Sequence, residues 1–194
     1  MSVRVIFLNA FVGRTASDRT RIVQERLTAA LVRFENRSLC DADDQIKKII
    51  VVGEDAQDGC LATDIMMRLG HAGVPVDIME IAGNAKNTFE AIELFVTKVA
   101  ELYPEQHVRV HVATHEWLLP RTFFYMGSWK PDVPIPLPAL KMKACCPYAG
   151  YRPNLRERLR EFFRRGDADE LLASQQCPLW WQQRAQSFDT ANSY

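Results

Sequence analysis

Lys48-Ile49-Ile50-Val51-Val52-Gly53 is the stretch that decides the fold. Its centre is an unbroken β-branched run with no polar residue at alternate positions, so a strand made of it must be covered on both faces. Strands of that kind lie inside parallel sheets, where crossover helices shield each side. The residues on either side supply such helices. Upstream, from Asp18 to about Glu35, Ile22, Val23, Leu27, Ala30, Leu31 and Phe34 recur at helical spacing, after a first strand-like run over 3–8. Downstream, Leu61, Ile65, Met66 and Leu69 form a second stripe from about Asp58 to Leu69, and Val76 to Ile81 reads as a third strand. Asn87 to Tyr103 is a further helix, with Phe89, Ile92, Phe95, Val96 and Val99 on one face and Pro104 just past its end. Val108, Val110 and Val112 then alternate with His107, Arg109 and His111, a fourth strand with one apolar and one polar face. The expected fold class is α/β, a Rossmann-like three-layer sandwich with a mostly parallel sheet and a C-terminal helical extension.

Beyond the fourth strand the pattern loosens. Trp117 to Met126 reads as a helix, and residues 131–153 are proline-rich and irregular with room for one short strand. Asn154 to Arg165 is a basic helical pattern, Asp167 to Ala173 a short one, and the tail from Phe188 is polar. Residues 1–175 are expected to form a single domain, with 176–194 a partly flexible C-terminal segment. In 194 residues, 24 Lys and Arg balance 24 Asp and Glu, so no global field draws the chain to nucleic acid or to a membrane surface. No apolar run approaches the roughly 20 residues that span a bilayer. The opening run is too short, with Arg4 inside it, for the apolar region of a signal peptide. Cys40, Cys60, Cys145, Cys146 and Cys177 include no CxxC pair and are odd in number, which fits a reduced, cytoplasmic setting.

In sheets of this type ligands sit beyond the carboxyl ends of the strands. Asn9, Gly53, Glu54, Thr114, His115 and Glu116 occupy those ends in the predicted arrangement. Glu54, His115 and Glu116 are candidate acid–base or orienting groups, with a hydrogen-bonded structural histidine as the rival reading of His115. Glu54, Asp55 and Asp58 are read as a solvated turn in preference to a Mg²⁺ site, and no metal is expected. Asn87, with Glu90 three residues on, fits a helix cap, and the same helix start would also favour an anion. Arg121 is either a salt-bridged surface residue or a planar fork for a carboxylate or phosphate. The loop from Gly13 to Arg19 carries neither the P-loop nor the dinucleotide glycine fingerprint. His107, Arg109 and His111 fit a partly exposed sheet face or one covered by the C-terminal segment. The arginines from Arg152 to Arg165, interleaved with Glu157 and Glu161, fit a solvated helix face, and Trp180-Trp181 an anchor for the terminal segment.

Arg26-Leu27, Gly73-Val74-Pro75, Glu80, Asn87-Thr88-Phe89-Glu90 and Val112 to Thr122, in that order, resemble the bacterial YdcF/SanA/ElyC-like family over roughly residues 3–127. Arg26, Glu80, Asn87, Thr88, Glu90 and Arg121 match the family pattern. Ala91 stands where the family has a second asparagine, Leu118 where it has a histidine, and Gly53-Glu54 replaces a glycine pair. The resemblance implies a small anionic or nucleotide-like ligand, S-adenosylmethionine among the candidates, with Asn87, Thr88 and Arg121 as binding groups. Two other functions fit the sequence. One is a hydrolase or transferase acting on a phosphorylated or glycan-related metabolite. The other is a degenerate domain serving as a protein-interaction module, in which case a homo-oligomer or partner complex is expected.

Overall fold

A computed structural model describes residues 2–11, 19–35, 45–55, 60–115, 118–128 and 138–145. Among these residues five strands form one all-parallel sheet: β1 (Val3–Asn9), β2 (Lys48–Glu54), β3 (Met79–Ala85), β4 (His107–Ala113) and β5 (Ala139–Cys145). Their order across the sheet is β3-β2-β1-β4-β5. The connections carry α1 (Arg19–Glu35), α2 (Ala62–His71), α3 (Thr88–Leu102) and α4 (Leu119–Ser128). This is the Rossmann-like three-layer sandwich expected from the alternation. The helical patterns after residue 153, the Trp180-Trp181 pair and the terminal segment lie outside the described residues.

The central strands show why the run at 49–52 had to be apolar throughout. Ile50 and Val52 join Val5, Phe7, Val110 and Val112 in the core under α3 and α4. Ile49 and Val51 join Ile6 and Leu8 in the core under α1 and α2. All four residues of the run are fully buried. On the α3 side Phe7 stacks on Phe95, ring centroids 4.2 Å apart. Burial of this kind contributes roughly 1.5–3 kcal/mol for each large apolar side chain.

Two readings of the sequence need correction. The third strand starts later than Val76: Val76–Ile78 form a single 3₁₀ turn, and β3 runs from Met79 to Ala85. Pairing with β2 begins at Ile49↔Met79, so the residues before Met79 have no strand beside them. The Lys48 ammonium ties the turn down, donating to the Asp77 carbonyl at 2.7 Å and to Glu80 Oε1 at 2.8 Å. The second helix begins at Ala62, because Leu61 holds extended backbone (φ −65°, ψ 149°) as its N-cap.

The polar face of β4 is partly exposed, as the sequence reading expects: His107 is exposed and Arg109 half-buried, while the end of the face packs under α1. His111 is buried there, its Nδ1 accepting from Arg33 Nε at 3.2 Å. The irregular segment at 131–153 does contain a strand, β5, and Cys145 Sγ at its end donates to the Ala29 carbonyl of α1 at 3.3 Å.

Candidate functional site

From β1 the chain passes through α1 to β2 on one side, and from β3 through α3 back to β4 on the other. The carboxyl ends of β1 and β4 therefore flank the point where the winding reverses, the usual ligand crevice of such sheets. The side chains gathered there are polar and buried. Asn9, at the end of β1, is 1% exposed, and its Oδ1 accepts from the Phe11 N–H at 2.9 Å. Glu54, at the end of β2, is 2% exposed and pairs with Arg19 of α1 at 2.5 Å. Thr114 and His115 follow β4 directly and are also buried.

The residue that joins these ends is Arg26, a fully buried guanidinium on the inner face of α1. Its Nη1 donates to the carbonyls of Asn9 at 2.8 Å and Phe11 at 2.7 Å, and its Nε donates to His115 Nδ1 at 3.2 Å. Among the described residues its Nη2, although buried, has no hydrogen-bond partner, and the same holds for the buried hydroxyls of Thr114 and Thr122. His115 Nε2 lies 2.8 Å from Glu25 Oε2, and Glu25 Oε1 accepts from Arg21 Nε at 2.8 Å. Both ring nitrogens of His115 are thus engaged.

Burial lowers the Arg26 pKa to about 9, with Glu54 opposing and Arg121 reinforcing the shift, so the group stays charged at neutral pH. Burial, and then the Arg26 charge, also lower the His115 pKa, against the pull of Glu25, which keeps the imidazole neutral there. Arg121, at the start of α4, acts on Arg26 from the opposite helix layer. Arg19, Arg21, Arg26 and Arg121 outnumber Glu25 and Glu54 among the described residues of this cluster.

The remaining candidates have local structural roles. Asn87 is the N-cap of α3, its Oδ1 accepting from the Glu90 N–H at 2.9 Å, while Glu90 Oε2 accepts from the Lys86 N–H at 2.8 Å. Thr88 is buried in the first turn of that helix. Gly53 has a packing role, since a Cβ there would collide with the Ala62 amide nitrogen and with Asn84 Oδ1, which accepts from that same amide at 2.8 Å. Glu116 lies outside the described residues. Ala91 and Leu118, the positions that depart from the family pattern, are both buried and apolar. Among the described residues no three His, Cys, Asp or Glu side chains converge as metal ligands.

Glu25 and Thr122 were not singled out as site residues in the sequence, and Arg26 appeared only as a matched motif residue. For Arg26 a physical signal exists: it stands four residues from both Ile22 and Ala30, inside the apolar stripe of α1. A cation in that stripe either has an internal partner or disrupts the helix packing. The chain matches no protein-family model, no curated protein and no solved structure.

Proposed function

We propose that this chain binds a small anionic, nucleotide-like ligand at the carboxyl ends of β1, β2 and β4. The observation that carries the reading is Arg26, a charged guanidinium buried where the winding reverses, with one donor edge unmatched among the described residues. Withdrawing such a group from water costs several kcal/mol. A ligand oxyanion would offset that cost by supplying a charge-assisted acceptor. Arg121, which acts on Arg26 electrostatically, adds a second cation, and the buried hydroxyl of Thr114, just past the end of β4, a neutral donor. The order of motifs shared with the YdcF/SanA/ElyC-like family supports a nucleotide-like ligand, S-adenosylmethionine included. Binding is favoured over turnover because the His115 nitrogens and the Glu54 carboxylate are already paired.

The test is a thermal-shift screen of the full chain against nucleotides, S-adenosylmethionine and sugar phosphates, with Arg26→Met and Arg121→Ala alongside. A ligand at about 100 times its dissociation constant adds roughly 2.7 kcal/mol. In a domain of this size that raises Tm by roughly 5–10 °C. The shift is expected to disappear in Arg26→Met and to shrink in Arg121→Ala. A flat response of the folded wild-type protein across the panel would exclude the reading and favour an interaction module, whose complex light scattering would detect.

A further inference from the structure

The hydrogen bonds around His115 fix its tautomer. A guanidinium can only donate, so Nδ1, which receives Arg26 Nε, must carry the lone pair. In the neutral ring the proton then sits on Nε2 and is donated to Glu25 Oε2 at 2.8 Å. Glu25 is held in turn by Arg21 at 2.8 Å, one helical turn away. The result is an ordered relay: His115 donates to Glu25 through one nitrogen and accepts from Arg26 through the other.

Building on the anionic-ligand reading, we infer that Glu25 and His115 are positioning residues that set the plane of the Arg26 guanidinium, leaving Nη2 to grip a terminal oxyanion of the ligand. With Nε anchored on His115 and Nη1 on the carbonyls of Asn9 and Phe11, the guanidinium has no rotation left to it. The third nitrogen is buried and has no hydrogen-bond partner among the described residues. Its direction is therefore set before a ligand arrives, which lowers the ordering cost of binding. The oxyanion class is phosphate or carboxylate, both of which suit a guanidinium edge. Protonating Nδ1 would set an N–H against the Arg26 N–H and break the relay. Among the described residues the charged groups acting on the ring are Glu25, Arg26 and Arg21, all from α1. Acidification is thus expected to weaken anion binding, although it adds positive charge to the site.

The test uses the full chain in two arms. Nitrogen-15 spectra of the histidine rings, with the His115 signals identified from a His115→Gln variant, should show the Nε2–H tautomer. An Nδ1–H tautomer would overturn the inference. In the second arm, calorimetry follows inorganic phosphate, AMP, S-adenosylmethionine and adenosine. Phosphate and AMP report a phosphoryl group, S-adenosylmethionine a carboxylate, and adenosine neither. In His115→Phe, affinity for whichever anionic probes bind should fall roughly tenfold or more, while adenosine stays within about twofold. His115→Gln, which keeps an acceptor for Arg26 and a donor for Glu25, should recover most of the loss. Should the Phe variant fail to fold, Glu25→Gln asks the same question and should weaken anionic probes selectively. Equal losses for anionic probes and adenosine would make the relay merely structural and sink the inference. Anion binding unaffected by Arg26→Met would sink both this inference and the reading it rests on, whereas an Nδ1–H tautomer or equal losses would sink this inference alone. If none of the four probes binds the wild-type protein, both fall together.

Discussion

His111 shows how one side chain sets a property of the whole protein. It is 1% exposed, and burial, followed by the charges of Arg33, Lys143, Arg4 and Arg109, lowers its pKa from 6.5 to about 4. Between those values the unfolded chain binds a proton that the folded chain refuses, so stability falls as pH drops through that window. The full effect, reached below about pH 4, is about 3 kcal/mol. His115, also lowered, acts in the same direction. His111→Gln keeps an acceptor for Arg33 but does not titrate. Its melting temperature should therefore fall less than that of the wild type between pH 6.5 and pH 4.5. Parallel curves for the two proteins would remove His111 as a source of acid sensitivity.

At the scale of the element, α3 shows a local device doing what the residues alone predict. Asn87 closes the first turn by accepting the Glu90 N–H, and Glu90 reaches back to the Lys86 N–H, one residue before the position a capping box would use. Asn87→Ala should lower stability by about 1 kcal/mol, whereas Asn87→Gly should cost only a few tenths. Chemical denaturation measures both directly. If Asn87→Ala left stability unchanged but weakened AMP binding, Asn87 would be a ligand group first and a cap second. The early start assigned to the third strand failed at the same scale. Val76-Asp77-Ile78 alternates as a strand would, but a strand needs a neighbour, and β2 offers none before Met79.

Across the whole molecule, the all-parallel register lines up cations that are far apart in the chain. Arg4 lies beside Arg109, and Arg109 beside Lys141, across three neighbouring strands. Like charges opposite one another weaken a sheet. Lys141 is exposed on the edge strand, so Lys141→Glu places an acid next to Arg109 at little desolvation cost. A gain of about 0.2–1 kcal/mol is expected in urea at low salt, shrinking as salt screens the pair. A loss of stability would mean that Lys141 already serves an acid in another part of the chain. No helix among the described residues is long and apolar enough to cross a membrane.

The sequence by itself determined the layers. A β-branched run with no polar alternate must be buried on both faces, and apolar residues at helical spacing must turn one side inward; both requirements are local and can be read in one dimension. The strand-end positions of Asn9, Glu54, Thr114 and His115 followed from the same reasoning. What only the tertiary structure decided is who meets whom there. Arg26 and His115 are 89 positions apart in the chain, and Glu25 and His115 are 90 apart. They meet because β4 inserts beside β1 while α1 crosses over that pair. The burial of His111, the fixed tautomer of His115 and the buried edge of Arg26 all follow from that crossing. A hydrogen bond depends on distance and direction in space, and neither is written in the spacing of residues along a chain.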